Sequence, residues 1–273
     1  MGNSQGSTVW VNPQRLLYSK RVNNKNNNKE SEVNNLDNSI FNSIYDVLAS
    51  KSTKADICKK YNITRSALDW NLKDVLRETD KSKELRNQMF LGAKLGDGYF
   101  QKTKQNVYKY RESHGIGELE YAKWKYLILQ SYHKNTRVVP KNSGKACEVY
   151  TSASCSQQIK PYYDMSVEDT IKSMNIYGFL FYLLDDGWYS SHSKEGNYLV
   201  GSKILTIEQK KMIINLLNRY EIEASIVGNR EDISISSKYN FTLLSYLMHI
   251  APTLDIDIIN KKFGKVIKNT LMA

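Results

Sequence analysis

Apolar positions recur at steps of three and four residues from Ser39 onward, which is the spacing of one buried face of an α-helix. The next stretch, STKADICKKYNITRSALDWNLKDVL, predicts two short helices joined by a tight turn at Tyr61-Asn62-Ile63, with Thr64 capping the second. This is the shape of a helix-turn-helix. On the exposed side of the second helix we expect Arg65, Ser66, Asp69, Trp70 and Lys73. Residues 39–80 are therefore predicted to form a small helical module.

Beyond Lys81 the pattern of helices and strands occurs twice. The first copy contains the helix MFLGAKLGDGYF, the strand NVYKYRESHG, the amphipathic helix ELEYAKWKYLILQSYH and the strands TRVVPK and ACEVYTSAS. The second contains the helix YGFLFYLLDDGWYS, the strand NYLVGSKILT, the helix IEQKKMIINLLNRY, the strands ASIVGN and DISISS, and the helix FTLLSYLMHI. The order αββαββα in each copy predicts an α+β fold of two pseudo-symmetric halves, residues 85–174 and 175–273, facing each other across a twofold axis.

The amino-terminal residues 1–38 differ from the rest of the chain. They include NNKNNNKESEVNN, which offers almost nothing to bury, so we predict a disordered Asn/Lys-rich arm. The start, MGNSQGSTVW, is polar where a signal peptide would be apolar.

The charge balance indicates an acidic partner. Lys and Arg number 39 against 28 Asp and Glu, a formal net charge of +11, which favours nucleic acid or an anionic membrane. The longest apolar run, around IYGFLFYLL, is too short to span a bilayer and ends in acids, so we expect DNA and no membrane. With this charge, contact between the second helix of the 39–80 module and the major groove is our hypothesis, and a bundle that only packs is the alternative.

Cysteines and histidines indicate little chemistry of their own. The cysteines are odd in number and lack metal-ligand spacing, which argues against a disulfide framework or a zinc site and favours an intracellular reducing compartment, whether bacterial, phage-infected or organellar. The histidines are scattered, which argues against a histidine-metal nuclease or a Ser-His-Asp hydrolase.

The candidate chemistry lies at the ends of the two leading helices. When FLGAKLGDG is aligned with FLFYLLDDG, Asp97 matches Asp186. A carboxylate at a helix C-terminus faces the negative end of the dipole and gains nothing there. A single DDG would be a helix stop, but two copies at matched positions favour a pair of acids that bind Mg²⁺.

Small residues predict how these helices pack. Gly92 and Gly96 lie four apart on one face of the first helix and allow another backbone to come close. The corresponding positions in the second helix are Phe181 and Asp185. We therefore expect the large residues of one helix to fit the small face of the other, which would bring Asp97 and Asp186 together.

These residues resemble the LAGLIDADG homing endonuclease family in its single-chain, two-repeat form. FLGAKLGDG retains the Gly at the third position, the Asp at the eighth and the final Gly, whereas FLFYLLDDG keeps Asp and Gly at its end. The resemblance covers residues 85–270. It implies an intron-encoded, site-specific endonuclease, acting as a monomer, whose two curved sheets form a saddle over the major groove of a long DNA target and which makes a double-strand break with 3′ overhangs.

The resemblance also implies functional residues. Asp97 and Asp186 would bind Mg²⁺, for which Mn²⁺ would substitute, with the carbonyls of Gly96 and Asp185 completing the coordination. A basic residue from each half would lie near the scissile phosphates. In the second half this is Lys261, with Lys262 adjacent, in IAPTLDIDIINKK. In the first half it is Lys160, and Lys172 is the alternative.

Strand residues after each motif mix positive charge with rings and hydroxyls, which suits contacts to DNA. In the first half these are Lys102, Lys104, Tyr108, Lys109, Tyr110 and Arg111, and in the second they are Tyr189, Ser191, His192, Lys194 and Lys203. In the helical module they are Arg65 and Lys73.

Two other functions remain open at this point: an RNA maturase that helps its own intron RNA to fold, and a DNA-binding regulator that does not cleave.

Overall fold

The computed structural model describes residues 42–47, 52–76, 79–130, 137–190, 197–200, 204–228, 231–250, 259, 262 and 263. The predicted arm at residues 1–38 lies outside these ranges. The chain divides into two compact units, Met1–Lys81 and Ser82–Ala273. Among the described residues, no helix combines the length and the apolarity that crossing a bilayer requires.

The amino-terminal unit contains the predicted pair of helices. Residues 42–47 are helical, and α1 (Lys54–Tyr61) is followed by α2 (Arg65–Leu76). Asn62 adopts the left-handed conformation that ends α1, with φ at 51°, and the hydroxyl of Thr64 accepts a hydrogen bond from the Ala67 amide at the start of α2. The predicted turn and cap are therefore confirmed.

The second unit begins with one set of helices and strands. These are α3 (Asp80–Leu95, which starts just before the unit boundary), β1 (Tyr99–Lys102), β2 (Tyr108–Gly115), α4 (Leu119–Gln130), β3 (Arg137–Lys141), β4 (Ala146–Tyr150), α5 (Ser156–Asp164) and α6 (Val167–Ser173). The four strands form an antiparallel sheet in the order β1-β2-β4-β3.

A second set follows with the same order of strands and with one helix at its end where the first set has two. It comprises α7 (Ile176–Asp186), β5 (Gly187–Ser190), β6 (Asn197–Val200), α8 (Ile207–Asn218), β7 (Ala224–Val227), β8 (Asp232–Ser236) and α9 (Asn240–Ile250). Its sheet has the matching order β5-β6-β8-β7. The α+β class and the repeated order of strands are confirmed, and the twofold relation between the halves stays a prediction.

The leading helix of each half ends earlier than the sequence pattern suggests. The predicted helices continue to Phe100 and Ser190, whereas α3 ends at Leu95 and α7 at Asp186. The Gly98 amide donates to the Ala93 carbonyl at 2.7 Å and closes the last turn, and Gly187 is already extended. Strands β1 and β5 therefore begin within two residues of Asp97 and Asp186, inside stretches whose pattern predicts helix.

Candidate active site

The two leading helices, α3 and α7, pack against each other at backbone distance. A Cβ atom built on Gly92 would lie 2.3 Å from the Gly178 carbonyl oxygen and 2.6 Å from Phe181 Cβ. One built on Gly96 would lie 2.5 Å from Asp185 Cβ. The predicted fit of Phe181 and Asp185 against the two glycines is therefore confirmed, and the C-terminal ends of the helices meet.

We expect Gly92→Ala to destabilise the protein by about 1–3 kcal/mol, because the new methyl would overlap the backbone of α7 and force the helices apart. In a solvent-exposed helix the same change would stabilise the protein by up to about 1 kcal/mol. The sign of the change in unfolding free energy therefore indicates whether Gly92 is in close contact with α7. Gly117→Ala is the matched control, since a Cβ there meets nothing within 4 Å. Urea unfolding of both variants measures the difference, and equal midpoints would contradict the packing.

The acids at these ends perturb each other. Burial, followed by the charge of Asp185, raises the pKa of Asp97 to about 6. Burial, followed by the charges of Asp97 and Asp185, raises the pKa of Asp186 to about 6. The Asp97 side chain retains 37% of its exposure, and Asp186 is half-buried. The predicted pair of carboxylates is thus brought together where solvent can still reach it.

This pair fits a divalent cation. Two half-buried carboxylates that repel each other hold protons up to about pH 6, and a bound cation would remove that repulsion. Carboxylate oxygens are the ligands that Mg²⁺ prefers. The donor atoms of the described residues therefore match the ion that the sequence analysis proposed.

A pH dependence follows from these pKa values. Because each pKa is raised above its unfolded value, the stabilisation from the protonated acids is present at low pH and is lost as pH rises through about 6. Added Mg²⁺ competes with those protons, so we expect it to raise the melting temperature more at about pH 7.5 than at about pH 5. Thermal melts of the wild type beside Asp97→Asn/Asp186→Asn test this, and an equal Mg²⁺ effect at both pH values would contradict it.

Beside the acids lies a fully buried ion network. The Lys125 ammonium donates to Glu112 Oε2 and to Asp185 Oδ1, both at 2.7 Å. The Tyr121 hydroxyl donates to Asp185 Oδ1 at 2.7 Å, and the Tyr110 hydroxyl donates to Glu112 Oε2 at 2.5 Å. Burial alone would lower the pKa of Lys125, but the charges of Asp185 and Glu112 outweigh it and raise that pKa. The network joins α4 and β2 of the first half to α7 of the second.

His114 connects this network to Asp97. Its Nε2 atom lies 3.2 Å from Glu112 Oε1, and its Nδ1 atom lies 3.7 Å from Asp97 Oδ2 and 3.6 Å from Glu118 Oε2. Burial opposes protonation, but the adjacent carboxylates of Glu112 and Glu118 favour the charged ring and raise the pKa of His114 to about 9. The imidazolium therefore supplies positive charge next to Asp97, a role that the sequence analysis missed when it set the histidines aside.

One group of these residues has the spacing of a metal site. Donor atoms of Glu112, His114 and Asp185 lie within 4.8 Å of one another. The Lys125 ammonium, however, already lies 2.7 Å from both carboxylates and balances their charge together with His114. We therefore assign this group to an ion network and not to a cation site.

The sequence contains a pattern from which part of this network could have been predicted. Lys125 shares one helical stripe with Tyr121 and Leu129, which are both buried, and Glu112 lies on the same buried face of β2 as Tyr110. A charged residue in an apolar stripe requires a buried partner. The pattern could have identified Lys125 and Glu112, but not Asp185 as the shared partner.

The second half supplies a buried lysine next to Asp186. Lys261, which was predicted for this role, lies outside the described residues. Its neighbour Lys262 is 6% exposed, and its ammonium donates to the Asp185 carbonyl at 3.0 Å and to the Gly187 carbonyl at 2.9 Å. The Asp185 carbonyl, predicted as a metal ligand, therefore already accepts a hydrogen bond, while coordination by the Gly96 carbonyl stays a prediction.

The lysines predicted for the first half have other partners. Lys160 forms an exposed ion pair with Asp164 on α5, and its ammonium lies 5.7 Å from the Tyr108 ring centre. Lys172 is exposed, and its ammonium lies 4.0 Å from Asp169 Oδ1. The positive groups that act on the pKa of Asp97 are His114 and Lys125. The structure thus offers no support for Lys160 or Lys172 at the acids.

The first sheet presents a basic open face. Along β2, Lys109 and Arg111 alternate with buried residues, and Arg111 pairs with Tyr99 of β1 and Tyr150 of β4. The Arg111 guanidinium lies 4.9 Å from the Tyr99 ring centre, and Lys104 is exposed near the tip of the hairpin. Lys102 is also exposed, but it pairs with Tyr108 and its ammonium lies 5.6 Å from that ring, so it belongs to the face opposite Arg111. Tyr108 and Tyr110, predicted to contact DNA, are instead buried on the opposite face, because adjacent strand residues point to opposite sides.

In the second sheet Tyr189 is partly buried, and its predicted contact with DNA stays a prediction. Its neighbour Trp188 is 36% exposed and follows Asp186 as Tyr99 follows Asp97. The remaining predicted contacts of this half, Ser191, His192, Lys194 and Lys203, lie outside the described residues.

Comparison with known proteins identifies the architecture. No protein-family model matches the sequence, and no curated protein matches it. Among solved structures, the homing endonuclease I-WcaI bound to its DNA recognition sequence aligns over 72% of this chain and 93% of its own, with a TM-score of 0.50 and 16% identity. Mesophilic variants of the homing endonuclease I-DmoI align over 62% of this chain and 96% of their own, with a TM-score of 0.41 and 13% identity. The aligned part of this chain has the fold of the LAGLIDADG homing endonucleases.

Proposed function

We propose that this protein is a site-specific DNA endonuclease that hydrolyses phosphodiester bonds with divalent cations held by Asp97 and Asp186. The observation that carries the proposal is the meeting of these two carboxylates, one from each half, at the ends of closely packed helices. The fold shared with I-WcaI, a homing endonuclease bound to its DNA recognition sequence, supports it.

The residues of the site have separate tasks in this proposal. Asp97 and Asp186 would hold Mg²⁺, with Mn²⁺ as a substitute, and such ions activate water and stabilise the leaving 3′ oxygen. Lys262 holds the backbone on both sides of Asp186 through the Asp185 and Gly187 carbonyls. His114 places positive charge beside Asp97 and so disfavours its protonation.

The sheets would hold the DNA. Lys109 and Arg111 of the first sheet can contact phosphates, and Tyr99 and Trp188 offer exposed rings next to the acids of both halves. With one acid and one sheet in each half, a single chain would position both strands of a long target. We therefore propose a double-strand break, and the resemblance to the LAGLIDADG family implies that it leaves 3′ overhangs.

Incubation with a randomised library of DNA duplexes tests this function. We expect the wild-type protein to enrich one sequence by binding in Ca²⁺ and to cleave it only when Mg²⁺ is supplied. Cleavage in the presence of a chelator would contradict the proposed site, and cleavage of all sequences at equal rates would contradict site specificity.

We further propose that the amino-terminal helices extend the contact with DNA. Arg65, Trp70 and Lys73 are exposed on α2, which is the second helix of the pair. The Asp69 carboxylate accepts from Lys54 at 2.6 Å and from Arg65 at 3.0 Å, which orders this face of the helix. A second tethered module raises the effective concentration of the first at its target.

Deletion of residues 1–79 is therefore expected to weaken DNA binding and to reduce its salt dependence by about 0.9 in slope for each phosphate that the deleted helices neutralise. The cleavage rate of bound DNA should be unchanged, since the proposed active-site residues lie in the second unit. Binding titrations at several salt concentrations measure the slope. Full-length Arg65→Ala/Lys73→Ala is the matched control and should reproduce part of the loss. An unchanged affinity in the deletion variant would contradict the proposed role of these helices.

A further inference from the structure

The residue before Asp186 forms side-chain contacts that the residue before Asp97 cannot form. The preceding residue, Asp185, is anchored through its carboxylate to Lys125 and Tyr121 of the other half. The matching position before Asp97 is Gly96, which has no side chain and therefore cannot form such a contact. Asp186 therefore follows an anchored residue and Asp97 does not, although the two acids occupy aligned positions of their helices.

We propose that Asp185, Lys125 and Tyr121 form a brace that positions Asp186, and that cleavage of one DNA strand depends on this brace far more than cleavage of the other. The strand dependence rests on the proposed endonuclease function. The positioning itself does not, because it concerns only contacts within the free protein.

Electrostatics explain why α7 needs the brace. Asp185 and Asp186 are the last two residues of the helix, where the dipole is negative and carboxylates are disfavoured. The Lys125 ammonium lies 2.7 Å from the Asp185 carboxylate and supplies the positive charge that this helix end requires. An anchored Asp185 restricts the backbone from which the Asp186 side chain projects.

Geometry explains why loosening the brace would affect Asp186 more than Asp97. Gly96 contacts the Asp185 side chain, so the brace also sets how deeply α7 lies against α3. Asp97, however, lies within a turn that is closed by the bond from the Gly98 amide to the Ala93 carbonyl. That bond does not involve Asp185 or Lys125. A misplacement of about 1 Å at a catalytic group can lower a rate by about a hundredfold. We therefore expect a selective loss at the site that depends on Asp186.

Asp185→Leu is the test variant. Leucine has a similar shape and cannot accept from Lys125 or Tyr121, whereas Lys125 keeps its ion pair with Glu112, so no buried charge is left without a partner. In the free protein, we expect amide hydrogen exchange at Gly187, which bonds to Leu183, to accelerate at least about tenfold. Exchange at Gly98 should stay within about twofold, and equal acceleration at both glycines would overturn the brace.

Strand-specific nicking tests the proposed dependence of one strand's cleavage on the brace. The substrate is a labelled duplex that is recovered from the library by binding in Ca²⁺. With Mg²⁺ we expect Asp185→Leu to nick one strand at least about tenfold more slowly than the other, so that a nicked intermediate of a single polarity accumulates. Equal slowing of both strands, or no slowing, would overturn the strand dependence. A wild type that cuts neither strand would overturn the endonuclease proposal, while the exchange experiment would still test the brace.

Two variants separate the brace from a general loss of stability. Tyr121→Phe removes only one hydroxyl donor and should give a smaller bias of the same polarity, which keeps the test available if Asp185→Leu folds poorly. Leu217→Ala truncates a fully buried residue of α8 and should lower stability without any strand bias. A bias in Leu217→Ala would overturn the assignment of the effect to the brace.

Discussion

Replacing Asp97 or Asp186 by asparagine is expected to lower the cleavage rate by at least about a thousandfold while leaving DNA binding in Ca²⁺ within about threefold. Asparagine keeps the size of the side chain but loses the charge that attracts a hard divalent cation. Stabilisation of the transition-state charge by such an ion amounts to several kcal/mol, and each 1.4 kcal/mol is about tenfold in rate. Single-turnover cleavage with Mg²⁺ measures the loss.

The control for this experiment is Asp169→Asn, which changes an exposed aspartate on α6 and should cleave at the wild-type rate. Both substitutions at the site should also raise the stability of the metal-free protein at neutral pH, since the pKa of about 6 shows that ionisation of these carboxyls is disfavoured. Cleavage by both single variants at near the wild-type rate would exclude the proposed acids.

The second large effect is expected from Lys125→Met, which should destabilise the protein by about 3–5 kcal/mol. The change leaves the carboxylates of Glu112 and Asp185 buried, with only His114 to offset two negative charges. Removing one partner of a buried ion pair is costly because the remaining charge has lost its solvation and its counterion. Urea unfolding measures the change.

Lys123→Met is the matched control on the same helix. Lys123 forms an ion pair with Glu120 at 2.7 Å, and both side chains keep contact with solvent, so its loss should cost at most about 1 kcal/mol. Combining Lys125→Met with Asp185→Leu removes one charge of each sign and should recover part of the stability lost in Lys125→Met. Additive losses in the combined variant would show that the ion pair is not the cause.

Several features of the site could be read from local patterns. The match between Asp97 and Asp186 and the small residues Gly92 and Gly96 depend on positions along single helices, where spacing alone sets which residues share a face. The turn at Asn62 is equally local, since few residues adopt a left-handed conformation readily. These predictions needed no knowledge of distant contacts.

Predictions about individual strand residues failed for a different reason. Tyr108 and Tyr110 have the right chemistry for DNA contacts, but a shift of one position moves a side chain to the other face of a sheet. Strand pairing sets that face. The composition of a strand, which guided the prediction, does not distinguish a tyrosine on the core side from one on the open side.

The sequence by itself determined that one pattern of helices and strands occurs twice, the matched acids and the basic charge, because helix periodicity, strand alternation and turn residues act over a few neighbouring positions. Only the tertiary structure decided that Lys125 pairs with Asp185, which is 60 residues away, that His114 lies beside Asp97, and that Lys262 holds the backbone around Asp186. Buried charges must find their partners in space, and the packing of two halves, which no local pattern encodes, places those partners.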